Sequence, residues 1–159
     1  MKQSRIQKFV GDQLSRWPLA CDNFRALKNV RVREVEINGL TVKLQFNPAR
    51  IRSTGAAVDK KSIAERPCFL CAENRPAEQS GRDICGSLEV LVNPFPIMGE
   101  HYTIVTKEHT PQLIAPLYAD MLFIAKRWRG MSVFYNGATC GASAPDHAHL
   151  QAVPSKYLP

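Results

Sequence analysis

The sequence contains no run of about eighteen apolar residues, so no membrane span is expected. Its opening stretch, MKQSRIQKFVGDQL, is polar and amphipathic and has no signal-peptide core, so a cytoplasmic protein is expected. There is no internal repeat and no low-complexity tract. Acidic residues are outnumbered: 14 Asp and Glu against 21 Lys and Arg leave a net charge of +7. That balance favours anionic partners. The basic residues are scattered in short pairs such as Lys60-Lys61, and aromatic residues do not interleave with them. A nucleic-acid groove is therefore not expected, and phosphorylated small molecules fit better. Cysteine is scarce and odd in number, at five, and two of the five form CFLC at Cys68 and Cys71. Without an export signal, that spacing points to metal or redox chemistry before a disulfide framework. Cys21, Cys85 and Cys140 lie far apart and read as free thiols.

What remains is the composition of a globular chain: 159 residues, 45% hydrophobic and 22% charged. This is enough for one compact domain with its own core. Apolar residues at Ile6, Phe9, Val10, Leu14 and Trp17 predict a helix from Ser4 to Trp17, capped by Ser4 and stopped by Pro18. Val30 to Phe46 predicts a hairpin turning at Asn38-Gly39, with a bulge at Arg33-Glu34 where the alternation slips. Asn47 to Pro67 reads as a long polar loop, and Ala72 to Gly86 as a second polar segment. Strands are expected over Leu88–Asn93, His101–Thr106 and Met131–Asn136. A helix is expected over Pro111–Arg129, with Leu113, Leu117, Met121, Ile124 and Trp128 on one face and Pro111 in its first turn. A Gly- and Ser-containing loop, GATCGASAP, then leads into a last strand, DHAHLQAV. The order predicts a single α+β domain with a mainly antiparallel sheet.

The chemistry-bearing residues cluster late. A Cys-x-x-Cys turn offers two thiolates to a tetrahedral zinc and leaves it two ligands short. Two plain thiols or a redox pair are the alternatives, although the flanks do not resemble a strand entering a long helix. His109, on a short connection after a strand, is a third donor. One of His147 and His149 completes a Cys2His2 set. On a strand, residues two apart share a face, so His147, His149 and Gln151 point one way and Ala148, Leu150 and Ala152 the other. With one imidazole on the metal, the other is left beside a loop rich in backbone donors. An imidazole whose Nδ1–H is held by a carbonyl can attack phosphorus through Nε2. Ser143, the N–H groups from Gly141 to Ser143, Asn136 and the Gln151 amide are placed to steady the anionic transition state.

These residues resemble a known pattern. HAHLQ is similar to the His-x-His-x-Gln signature of one branch of the histidine-triad superfamily. That branch includes galactose-1-phosphate uridylyltransferase, diadenosine tetraphosphate phosphorylase and GDP-sugar phosphorylases. GASAP looks like the Gly-x-Ser-x-Pro loop of that branch, HYTIVTKEH like its GHxLVxPKxH segment, and FYNG like the strand end before the catalytic loop. CFLC followed by AEN resembles the uridylyltransferase zinc turn. The resemblance covers roughly Cys68 to Val153 and implies a histidine-triad-like α+β fold, with residues 68–159 as zinc turn and catalytic core. It further implies structural zinc on Cys68, Cys71, His109 and His147, and His149 as a nucleophile that becomes nucleotidylated. Gln151, Ser143 and Asn136 would contact phosphate, the Gly141 loop would cradle it, and Asn93 and Phe95 would hold ribose and base. Substrates would be nucleotide sugars or dinucleoside polyphosphates, with phosphate or a sugar phosphate as acceptor. Glutamine in the third histidine's place implies transfer to such an acceptor. A nucleotide hydrolase and a non-catalytic, zinc-stabilised nucleotide-binding module are the alternatives. By analogy a homodimer is expected. Three features depart from the pattern: Asp146 is inserted before the first histidine, the family's second half is absent, and residues 1–67 match nothing in it. A fragment of a longer protein and a minimal domain are the two readings of the second departure. In the departing region, Arg50 and Arg52 are either phosphate ligands or part of a solvated basic loop.

Overall fold

The computed structural model describes residues 3–51, 55 and 57–158. Its centre is a five-stranded antiparallel sheet in the order β3-β4-β5-β7-β6. The strands are β3 (Arg82–Cys85), β4 (Leu88–Val92), β5 (Tyr102–Thr106), β6 (Met131–Phe134) and β7 (His149–Pro154). The last strand in sequence is inserted between β5 and β6. Its register sets Val105 against His149 and Thr103 against Gln151 on one side, and Phe134 against Gln151 on the other.

The period-2 pleat divides the sheet into two unlike faces. Leu88, Val90, Val92, Tyr102, Ile104, Leu150 and Ala152 are buried in the main core, together with Ile6 and Val10 of α1 (Gln3–Leu14). A later helix spans Ile114–Arg127, and its Leu117 and Ile124 pack into the same core, as does Trp128 just beyond it. Trp128 meets Tyr102 with ring centroids 5.6 Å apart. The opposite face carries a smaller cluster of Cys68, Leu70, Cys71, Leu91, Val105 and Ala144. His149 and Gln151 alternate out of step with Leu150 and Ala152, as the sequence pattern predicts.

Several elements differ from the sequence expectation. The first helix already includes Gln3, so Ser4 stands inside its first turn and does not cap it. Pro18 does not stop a helix but starts one, α2 (Pro18–Ala26), where its missing N–H costs nothing. The hairpin of β1 (Arg31–Ile37) and β2 (Leu40–Phe46) is in continuous register with no bulge. Asn38 and Gly39 turn it with φ of 51° and 78°, a left-handed pair of the kind such turns require. Within the expected loop lies α3 (Lys60–Glu65), capped by Asp59, whose carboxylate accepts the Ser62 N–H at 3.0 Å. The second polar segment contains β3. The later helix, α4, begins at Ile114, so Pro116 and not Pro111 occupies its first turn, and Leu113 is exposed. His147 precedes β7 and does not belong to it.

Candidate functional site

The metal-donor cluster is built by three chain segments. The Cys68 to Cys71 turn is shaped locally: Cys71 N–H donates to Cys68 O at 3.2 Å, and Asn74 Nδ2 donates to the same carbonyl at 3.1 Å. Arg75, buried and paired with Glu89, donates through Nε to Leu70 O at 2.8 Å. His109 is brought in because the chain after β5 runs beside His147 to His149. Thr106 N–H donates to Ala148 O at 3.1 Å, and Ala148 N–H donates to Thr110 O at 2.7 Å. Cys68, Cys71, His109 and His147 then place one donor atom each within 4.8 Å of all the others.

Edge lengths test whether a metal fits. Cys68 Sγ to His147 Nδ1 is 3.3 Å, Cys71 Sγ to His109 Nδ1 is 3.2 Å, and Cys71 Sγ to His147 Nδ1 is 3.5 Å. Tetrahedral zinc with ordinary Zn–S and Zn–N lengths would separate such atoms by about 3.5 Å. The other nitrogen of His147 lies 2.8 Å from Thr106 O. Donating there fixes the tautomer and leaves Nδ1 as the ligand. Burial lowers the pKa of His147, which keeps it neutral, as a ligand must be. Burial and the neighbouring Cys68 push the Cys71 thiol up to about 11. Thiolates in such a place need a cation to hold them. The donor set is compatible with a metal site.

His149 is held differently. Its Nδ1 is 2.8 Å from the carbonyl oxygen of His147, so Nδ1–H donates there and Nε2 carries the lone pair. Its backbone is gripped by Gln112, a buried residue that the sequence reading did not single out. Gln112 Oε1 accepts His149 N–H at 2.7 Å, and Gln112 Nε2 donates to His149 O at 3.0 Å and to Asn136 O at 2.8 Å. Burial is the main cause that lowers the His149 pKa below the ordinary histidine value, so the ring is neutral near pH 7. A neutral, oriented imidazole is a nucleophile or a base.

Gln151 is also fixed at both ends. Its Oε1 lies 2.7 Å from His101 Nε2, and its Nε2 donates to Asn136 Oδ1 at 2.7 Å. His101 Nδ1 accepts the Ile97 N–H at 3.2 Å, so Nε2 is its protonated nitrogen and donates to Gln151. Burial drives the His101 pKa down to about 4, against the Gln151 contact, which raises it. His101 is therefore a neutral donor that sets which end of the Gln151 amide faces Asn136. Its position in HYTIVTKEH was visible in the sequence; its partner, fifty positions away, was not.

Beside His149 opens a cavity of about 350 Å³. Six of the seven candidate catalytic and substrate residues line it: Asn93, Phe95, Gly141, Ser143, His149 and Gln151. Asn136 reaches it through Gln151. Asn93 is largely engaged in its own turn, accepting the Phe95 N–H at 2.9 Å and donating to Thr103 Oγ1 at 3.2 Å. Gly141 adopts φ of 87°, which favours glycine and turns the loop toward Ser143. The apolar wall includes Phe69 and Leu70 and, unforeseen, Trp17, which immediately precedes α2, and Leu19 of α2. Asn23 of α2 donates to Pro94 O at 2.8 Å, which ties that helix to the Asn93–Phe95 turn. Arg50 lies next to the Ile97 turn, on a different surface hollow; Arg52 lies outside the described residues.

Residues 9–154 match the family described as "Domain of unknown function (DUF4922)". The chain belongs to that family. Among solved structures it is similar to yeast Ap4A phosphorylase Apa2 in complex with AMP, with a TM-score of 0.50 and 20% identity over 93% of this chain and 51% of that one. A histidine triad protein from Clostridium difficile matches with a TM-score of 0.40 and 20% identity, over 58% of this chain and 90% of that one. Among characterised sequences, Protein APA1 of Saccharomyces cerevisiae is 32% identical over 81 residues, covering 44% of this chain and 25% of the relative. The chain thus spans about half of the Apa2 chain and a quarter of APA1. The likeness to Apa2 is one of fold, and the fold is the histidine-triad-like α+β architecture that the motifs imply.

Proposed function

We propose that this DUF4922 chain transfers nucleotidyl groups, as a nucleotidyltransferase or phosphorylase acting on a dinucleoside polyphosphate or a nucleotide sugar. The observation that carries this reading is His149: a neutral imidazole with Nδ1–H bonded to the His147 carbonyl, lining a cavity beside Ser143 and Gln151. Its Nε2 lone pair attacks the α-phosphorus, an N–P bond forms, and the P–O bond to the leaving phosphate breaks. An acceptor phosphate oxygen then attacks the same phosphorus, the N–P bond breaks, and His149 is regenerated neutral. Ser143, the loop N–H groups from Gly141, and the Gln151–Asn136 amides stabilise the charge that develops on the non-bridging oxygens. Asn93 and Phe95 take the ribose and base. The fold likeness to a phosphorylase named for Ap4A supports the dinucleoside polyphosphate over the sugar as first substrate to test.

We read Cys68, Cys71, His109 and His147 as a structural zinc site, for which two thiolates with two imidazoles are well matched. Zinc there would tie the cysteine turn to the base of β7, at a residue two positions before His149. We read residues 1–67 and 68–159 as one histidine-triad-like domain in which Trp17 and α2 complete the cavity wall. Among the described residues no helix is long and apolar enough to cross a membrane; a cytoplasmic, homodimeric protein is the assignment we favour.

Product analysis with Ap4A, with and without added phosphate, tests the reading. Turnover that requires phosphate and yields a nucleoside diphosphate is expected. Release of nucleoside monophosphate at the same rate without an acceptor would establish a hydrolase in its place, and nucleotide binding without turnover would leave a binding module.

A further inference from the structure

Asp146 is the residue that interrupts the familiar pattern, and it takes no part in the metal or phosphate chemistry above. Arg66 Nη2 donates to Asp146 Oδ1 at 2.7 Å, across 80 positions of sequence, with the two side chains only 22% and 17% exposed. Arg66 follows α3 and stands two residues before Cys68; Asp146 stands immediately before His147. The guanidinium carbon of Arg66 also lies 5.0 Å from the centroid of the Phe69 ring. Phe69 is 43% exposed and lines the cavity, and so do Gly141 and Ser143 on the strip that ends at Asp146.

Two strips of chain therefore meet twice. One meeting is the donor cluster, where Cys68 and Cys71 approach His147. The other is the Arg66–Asp146 pair. A single cluster of donors fixes how far apart two strips lie, but leaves them free to rock about it. A second tie beside the first removes that freedom. Partial burial makes the tie less sensitive to screening than a surface ion pair. The ring of Phe69 lies under the same guanidinium, so the tie also bears on that ring.

We propose that Arg66 and Asp146 are positioning residues: their ion pair orients the Cys68–Cys71 strip against the Gly141–Pro145 loop and so fixes Phe69 in the cavity wall it shares with Ser143, for nucleotide binding. This rests on reading the cavity as a nucleotide site. The pair explains why an aspartate is tolerated before His147, since Arg66 neutralises it.

The test is a double-mutant cycle on the metal-loaded chain with AMP as the probe. Arg66→Ala and Asp146→Ala are each expected to weaken AMP binding about tenfold, with the double variant no weaker than either single one. The reversed pair, Arg66→Asp with Asp146→Arg, is expected to recover most of the loss. Metal content should stay at the wild-type ratio throughout, and amide hydrogen exchange should rise at residues 141–145 in each single variant. Wild-type affinity in the single variants, losses that multiply in the double variant, or losses that track metal release would each overturn the proposal. Should the alanine variants fail to fold, Arg66→Lys and Asp146→Asn carry the same cycle. If the wild-type chain binds no AMP, the nucleotide reading falls separately, and hydrogen exchange at 141–145 alone decides the positioning role.

Discussion

The β1–β2 hairpin and the five-stranded sheet are both made of alternating apolar residues, yet they end in opposite environments. In the hairpin, Ile37, Leu40, Leu44 and Phe46 share one face and are 52%, 69%, 51% and 47% exposed. In the sheet, Val90, Ile104 and Leu150 are fully buried. Alternation specifies a strand and which of its residues share a face, but burial depends on whether another element covers that face. The sheet is covered twice, by helices on one side and by the cysteine strip and the Gly141–Pro145 loop on the other. Only there can an imidazole be kept neutral, a glutamine fixed at both ends and thiolates gathered out of water. The hairpin pairs with no other strand among the described residues, and nothing about it supports chemistry.

Perturbations should separate the two regions sharply. Removing metal with a chelator is expected to lower the melting temperature by about 10 °C or more, because the donor cluster ties three segments onto the sheet. A scan that does not move on chelation, with no metal in the native protein, would remove the metal centre from this account. Next in size is Gln112→Leu, which strands two buried backbone groups of His149 and a part-buried one of Asn136 and should cost about 3 kcal/mol in urea titration. Acid comes third. His101 has a folded pKa of about 4 against an ordinary value of 6.5, so below pH 6.5 the unfolded chain binds the proton more readily than the folded one. Stability should therefore fall by up to about 3 kcal/mol between pH 6.5 and 4, and His101→Gln should flatten that slope. Leu40→Ser in the hairpin should change stability by no more than about 0.5 kcal/mol. A large loss there would mean that the hairpin face is covered in solution.

Much of the sheet and most of the donor set were legible in the sequence because their signals are local. Cys-x-x-Cys spacing, His-x-His-x-Gln and period-2 runs can each be read within about ten residues. The helices α2 and α3 were missed for local reasons too: Pro18 serves equally as a stop or a first turn, and α3 is a six-residue helix inside a basic stretch. The last strand was expected from Asp146 but starts at His149, three residues later, so His147 lies outside it. The contacts that tune the site were illegible because their partners are remote. Gln112 reaches His149 across 37 positions, His101 reaches Gln151 across 50, and Arg66 reaches Asp146 across 80. Such pairs exist only after the sheet has placed them side by side.

We propose that His149 becomes covalently nucleotidylated. Intact-mass measurement of the metal-loaded chain, mixed with Ap4A without phosphate, tests it directly. Wild type should gain the mass of one nucleotidyl group, the adduct should disappear on adding phosphate, and His149→Ala should gain nothing. An unmodified wild-type chain, or an adduct that persists in His149→Ala, would contradict it.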